Sequence, residues 1–274
     1  MSKAICYLID HFAPYDTASL HVSDLVIQRG YGTFEFFREI NGKVPFLDEY
    51  LDRFYHAAEV MGLKVPIDRS RIEIIIRHLL SENLFVNSGI KIILTGGYAE
   101  DYYTPAEPNL IILNNPFRTV TRHLENGVKL LLFEYKRFLP EVKTINYLPA
   151  LWMSAKLREK GAIEPLYHYD GKILETSRSN IFLVKNGIIA TPVNGILPGI
   201  SCKHLIKVAR SFYKVEERDV PLDEIETADE IFITGTSKHL YPVVQIDDHR
   251  IGDGKPGSVT RKLMAEFEKY ISNQ

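Results

Sequence analysis

Three dipeptides, Asn41-Gly42, Asp170-Gly171 and Asn186-Gly187, each stand between two β-rich runs, and they constrain the fold more than any other feature of the chain. A two-residue hairpin loop needs positive φ at both central residues. Asn or Asp followed by Gly supplies this at low cost, so the flanking runs are predicted to pair antiparallel. The runs are YGTFEFFREI with KVPFL, EPLYHY with KILE, and NIFLV with IIATP. Other segments change period. FLDEYLDRFYHAAEVMGL sets Phe46, Leu47, Tyr50, Leu51, Phe54, Ala57, Ala58 and Met61 at helical spacing and stops at Gly62. A second helix from Asp68 turns Ile72, Ile75, Ile76, Leu79 and Leu80 inward, ahead of strand-like IKIILTGG and NLIILNN.

Beyond Asn114-Asn115-Pro116 and the polar TVTRH, VKLLLFEYKR reads as a strand and YLPALWMSAKLREKG as a helix. A helix over 200–212, strands at EIFITG and VVQI, and a closing helix from 257 complete the chain. The expectation is an α+β protein with a small N-terminal domain over 1–114, a linker over 115–122 and a larger C-terminal domain over 123–274. Each domain is expected to hold a largely antiparallel or barrel-like β core with flanking helices.

With 274 residues, such domains can bury full cores without disulfides or a structural metal. Lys and Arg (33) nearly balance Asp and Glu (35), and the signs are interspersed, which argues against a nucleic-acid partner. No segment approaches the length of an apolar membrane span, and the N-terminus lacks a secretory pattern. Cys6 and Cys202 read as reduced core thiols. A cytoplasmic protein acting on small molecules is the expectation. The nine His are scattered without ligand spacing, so no metal site is expected. Nucleophile-elbow, phosphate-loop, dinucleotide and zinc-protease motifs are missing as well.

What remains is an ordered series of polar residues. Arg53 projects from the first long helix, Lys143 lies in EVKTINYLPA, and Glu175 ends a hairpin strand in ILETSRSNIF. Pro198-Gly199-Ile200-Ser201 opens a helix, and Thr234-Gly235-Thr236-Ser237 follows a strand. Taken singly these are surface charges and helix caps. Taken together they meet the needs of pyridoxal 5'-phosphate. That cofactor requires a lysine amine for a Schiff base and an anion at the pyridine nitrogen. Its phosphate requires a cup of Arg, hydroxyl and helix N-terminal N–H groups.

The chain resembles the class IV aminotransferases of fold type IV, among them D-amino-acid and branched-chain aminotransferases and aminodeoxychorismate lyase. The resemblance spans nearly its whole length. It rests on GYGTFE at 30–35, the FLDEYLDRF helix with Arg53, KTINYL at 143–148, LETSRSNIF at 174–182, ATP at 190–192, ILPGIS at 196–201 and FITGTS at 232–237. It implies Lys143 as the Schiff-base lysine and proton shuttle, Glu175 on the pyridine nitrogen, and Tyr147 on the cofactor's phenolic oxygen. Arg53, Ile200, Ser201 and Thr236 are implied around the phosphate. It also implies a homodimer in which a neighbouring subunit completes each site, acting on an amino acid and a 2-oxo acid.

The substrate-facing residues depart from the family's patterns. Phe34 stands where D-amino-acid aminotransferases have a tyrosine, and the loop GGYAEDYYTP has neither the Arg nor the His of their carboxylate trap. Arg29, read as lying on a glycine-flanked strand, falls where branched-chain enzymes carry a pocket tyrosine. Arg178 falls where members usually have a small residue. Arg29, Lys91 and Arg178 are therefore candidate carboxylate anchors, beside the alternative that each is a structural or solvated charge. The extra cations and the likeness of the C-terminal half lead to a D-amino-acid aminotransferase with 2-oxoglutarate or pyruvate as acceptor. A branched-chain L-amino-acid aminotransferase, favoured by Phe34 and Asn146-Tyr147-Leu148, is the first alternative. Aminodeoxychorismate lyase, which uses the same lysine for elimination, is another, and a protein that binds the cofactor without turnover is the non-enzymatic one.

Overall fold

A computed structural model describes residues 4–118 and 120–274, with the side chain of Arg122 outside the description. Residues 1–3 and Thr119, the latter within the expected linker, lie outside the described residues. The chain divides into two compact units. Met1–Arg118 with Val142–Asn146 forms the first, and Thr119–Glu141 with Tyr147–Gln274 the second. The division after Arg118 falls inside the predicted linker. The segment around Lys143, read from sequence as part of the second domain, is counted with the first.

The first unit contains β1 (Ile5–Leu8), β2 (His11–Pro14), α1 (Leu25–Arg29), β3 (Gly32–Glu39), α2 (Leu47–Val60), α3 (Arg69–Asn83), β4 (Ser88–Thr95) and β5 (Leu110–Pro116). Its strands form one antiparallel sheet in the order β2-β1-β5-β4-β3. Register assigns the two faces. Thr33, Glu35 and Phe37 pair with Leu94, Ile92 and Ile90, and all six are fully buried on the side covered by the helices. Leu51, Phe54, Ala57 and Ala58 of α2 and Ile72, Ile75, Ile76 and Leu79 of α3 complete this core. Each large side chain so buried contributes about 1.5–3 kcal/mol before entropy is counted. Phe34, Phe36, Lys91 and Ile93 share the other face.

The second unit contains α4 (Arg122–Asn126), β6 (Val128–Glu134), α5 (Leu148–Trp152), α6 (Ser154–Glu159), β7 (Glu164–Tyr169), β8 (Lys172–Thr176), β9 (Asn180–Lys185) and β10 (Ile188–Thr191). It continues with α7 (Ile200–Ala209), β11 (Lys214–Glu217), β12 (Val220–Pro221), α8 (Glu224–Thr227), β13 (Glu230–Gly235), β14 (His239–Ile246), β15 (His249–Arg250) and α9 (Ser258–Ser272). Its sheet runs β11-β10-β9-β13-β14-β6-β7-β8-β12, with β15 paired to β14. The core lies among Leu130, Leu166, Ile181, Leu183, Ile231 and Ile233. Phe182 and Phe232 stack at 5.0 Å on the face that meets α7 and α9.

The hairpin dipeptides at 170–171 and 186–187 adopt positive φ and join antiparallel pairs as predicted. Three expectations change. KVPFL forms no strand: only the bridge Ile40–Lys43 closes before Phe46 turns at φ 60 into α2. The helix expected over YLPALWMSAKLREKG is split at Met153 into α5 and α6. Finally, β6 pairs parallel with β7 and β10 with β11 because long connections, the first of them carrying Lys143, join these strands, and β6 also pairs parallel with β14.

Candidate active site

In the first unit the lysine is positioned by backbone pairing. The Phe34 N–H donates to the Lys143 carbonyl at 3.0 Å, the Thr33 hydroxyl donates to the same carbonyl at 3.0 Å, and the Ile145 N–H donates to Gly32 O at 3.1 Å. The segment thus lies as a short extra strand on the open edge of β3, bridging Thr144 to Thr33. Gly32 permits the approach, since a Cβ there would sit 2.7 Å from Leu94 O and 3.3 Å from the Ile145 side chain. The Lys143 ammonium stands 4.7 Å from the centroid of the Phe34 ring, and Lys91 Nζ 4.8 Å from it. Burial lowers the pKa of Lys91.

Arg53 sits on the other side of β3. Its Nε and Nη2 donate to the two carboxylate oxygens of fully buried Glu35 at 2.8 Å each, and its guanidinium stands 5.6 Å from the Tyr50 ring centroid. Glu35 fixes the plane of that guanidinium. Arg29 is not on a strand: it ends the short helix α1, begun by Asp24 capping Val26 N–H at 2.8 Å and closed by Gly30 at φ 65. It is exposed and donates to the carbonyl of Gln28.

The second unit carries four of the candidate groups. The carboxylate of Glu175, at the end of β8, accepts two hydrogen bonds from Arg137 and one from the Leu197 N–H. Tyr147 is half-buried nearby, and desolvation, with Arg137 and Arg178 opposing, pushes its hydroxyl up to about 12, so it is a donor at neutral pH. Ile200 and Ser201 form the first turn of α7, which has no acidic residue there and no side-chain cap. Thr236 occupies the turn from β13 to β14.

A buried cluster lies alongside. Glu164 of β7 accepts from the Thr176 hydroxyl at 2.5 Å, and pairs with Lys238 at 2.6 Å and Arg178 at 2.9 Å. Burial would raise the Glu164 carboxyl, but the Lys238 and Arg178 cations outweigh it and hold it at about 2, while burial lowers Lys238. Arg178 is half-exposed and thus serves this ion pair while its guanidinium still reaches solvent.

The residues fit a phosphorylated, anionic cofactor. The bare N-terminus of α7 offers N–H groups, and Ser179, whose Cα and hydroxyl flank Gly235, keeps a buried hydroxyl without a hydrogen-bond partner among the described residues. Arg137, Glu35, Glu164 and Lys238 escape sequence reasoning. Each pairs with a residue at least 18 positions away, and no local spacing announces such a pair.

The family described as amino-transferase class IV has a sequence model that matches residues 32–246. The chain is 30% identical over 275 residues to the D-alanine aminotransferase of Staphylococcus aureus (strain N315), covering 97% of this chain and 98% of that protein. It is 31% identical over 286 residues to branched-chain-amino-acid aminotransferase-like protein 1 of Arabidopsis thaliana, covering 99% of this chain and 51% of that protein. In fold it is similar to the branched-chain amino acid aminotransferase of Escherichia coli, with a TM-score of 0.92 at 23% identity over 98% of this chain and 95% of that one. It is also similar to the T.th. branched-chain amino acid aminotransferase complexed with N-(5'-phosphopyridoxyl)-L-glutamate, with a TM-score of 0.90 at 23% identity over 99% and 95%.

Proposed function

Because the chain belongs to the class IV aminotransferases, pyridoxal-phosphate-dependent transaminases of fold type IV, we propose that it moves the amino group of a D-amino acid to 2-oxoglutarate or pyruvate. The observation that carries the stereochemical reading is the full-length similarity to a D-alanine aminotransferase. When bound, the cofactor supplies an electrophilic carbon for the amine and a ring that takes up the electrons of the substrate's Cα–H bond.

The chain's own residues do the rest. Lys143 Nζ would hold the cofactor, and its amine would take the proton from the substrate Cα. The Glu175 carboxylate would accept the N–H of the pyridine ring and favour its charged form by direct attraction. Tyr147, protonated at neutral pH, donates to the phenolic oxygen. The N–H groups of Ile200 and Ser201, the hydroxyls of Ser201 and Thr236, and Arg53 hold the phosphate. The apolar ring of Phe34 lines the approach to Lys143. Arg29, Lys91 and Arg178 are the candidate anchors for substrate carboxylates.

A coupled assay of 2-oxo-acid formation tests this with D-alanine, D-glutamate, L-leucine and L-glutamate as separate donors. The D-isomers are expected to turn over, with D-glutamate preferred because a second carboxylate can use the surplus cations. Turnover of the L-isomers alone would replace this reading with the branched-chain one, which Phe34 and the Arabidopsis relative's name favour. Pyruvate release from an aminodeoxychorismate without an acceptor would mean a lyase.

The enzyme is read as a homodimer. Phe138, Leu148, Leu151 and Trp152 of the second unit stand exposed, forming apolar surface of the kind that a second copy would bury. Light scattering of the active enzyme is expected to give twice 31.4 kDa, and an active monomer would contradict it.

A further inference from the structure

Resting on the reading of Glu175 as the anion at the pyridine nitrogen, we infer that Arg137 is a positioning residue that acts through Glu175. Arg137 follows β6, and Glu175 lies 38 positions further along at the end of β8. The guanidinium places Nε at 2.8 Å and Nη2 at 2.5 Å from the same oxygen, Oε1. The other oxygen, Oε2, accepts the Leu197 N–H at 3.0 Å. With both oxygens held, the carboxylate cannot rotate, and the entropy of ordering a long acidic side chain is met before any ligand arrives. An acceptor aimed at one ring nitrogen needs this direction.

The same contacts hold two further points of the second unit's backbone, at Pro140 and at Leu197. Arg137 Nη2 also donates to the carbonyl of Pro140, three residues before Lys143. The Leu197 peptide, whose N–H serves Glu175, has its carbonyl bound by Asn180 Nδ2 at 2.9 Å, and it stands two residues before the Gly199 cap of α7. Gly199 accommodates that arrangement, because a Cβ there would lie 2.1 Å from Asn180 Oδ1. Arg137 therefore fixes both the orientation of Glu175 and the backbone at Pro140. A lysine cannot replace it, since its ammonium is a point charge and lacks the planar fork that bridges Oε1 and Pro140 O.

The test is a double-mutant cycle on the whole protein. It reads the dissociation constant of pyridoxal 5'-phosphate by fluorescence titration of cofactor-free enzyme and the position of the bound cofactor's visible absorption band. Glu175→Gln, Arg137→Met and the double variant are compared, with thermal midpoints of the cofactor-free proteins as a check on folding. Arg137→Met is expected to weaken cofactor binding at least tenfold and to move the band in the direction that Glu175→Gln moves it. In the Glu175→Gln background the same change is expected to cost less than threefold. Wild-type affinity and spectrum in Arg137→Met, or an equal loss in both backgrounds, would overturn the inference while leaving Glu175 in place. A Glu175→Gln enzyme indistinguishable from wild type would remove the reading on which it rests. Should Arg137→Met fail to fold, Arg137→Lys carries the same comparison, with a loss in affinity expected in the Glu175 background only.

Discussion

Lys143→Ala is expected to lower turnover at least about 10³-fold while leaving the fold intact, because the lysine amine is proposed both to anchor the cofactor and to carry the substrate proton. The contacts that place the segment on β3 run through backbone atoms: the Lys143 carbonyl accepts from Phe34 N–H and the Thr33 hydroxyl, and Ile145 N–H donates to Gly32. Alanine keeps all three. The thermal midpoint should therefore stay near wild type, and the far-ultraviolet circular dichroism should be unchanged. Partial recovery of rate by an added small primary amine would separate loss of the amine from displacement of the segment. Turnover within tenfold of wild type would sink the assignment of Lys143.

The second large effect concerns stability. Glu164→Gln removes the charge that faces Lys238 in a fully buried environment and leaves an ammonium with no compensating anion at 2.6 Å. Removing one partner of a buried pair costs about 3–5 kcal/mol, and that loss is expected at pH 7 in urea denaturation. The pH dependence follows from the folded-state value of about 2, below the ordinary 4.5. A depressed carboxyl contributes stability that is fully present above 4.5 and is lost as the pH falls toward 2. The gap between wild type and Glu164→Gln should therefore narrow over that acid window. Equal stability at pH 7, or a gap independent of pH, would mean the cluster is not ionised in the folded protein.

Much of the fold is legible in local sequence because its determinants are local. The two turns at 170–171 and 186–187 need positive φ, and the residues present supply it; α2 and α3 show their apolar stripes, and Asp68 caps the latter at Arg71 N–H. Failures come where a neighbour overrides propensity. Arg29 reads as part of a glycine-flanked strand, yet the Asp24 cap and left-handed Gly30 place it at the end of a short helix. The parallel pairing of β6 with β7 depends on a long connection, which hairpin signals do not report.

For the candidate site, residue types in order along the chain nominate the candidates: Lys143, Glu175, Tyr147 and the start of α7 all come from motifs. The partners that orient them do not. The pairs Arg53 with Glu35, Arg137 with Glu175 and Lys238 with Glu164 are set by strand register and loop path, which no single-sequence period encodes. The substrate side is the least legible, since Arg29, Lys91 and Arg178 occupy three separate elements and one of them, Arg178, is already engaged by Glu164.

The central claim is that one lysine of this chain, Lys143, holds the cofactor. Borohydride reduction of the purified holoenzyme followed by peptide mapping is the most direct test. The account predicts the phosphopyridoxyl mass on the peptide containing Lys143 and loss of the visible band. The same mass on Lys91, Lys238 or any other lysine, with Lys143 unmodified, would contradict it.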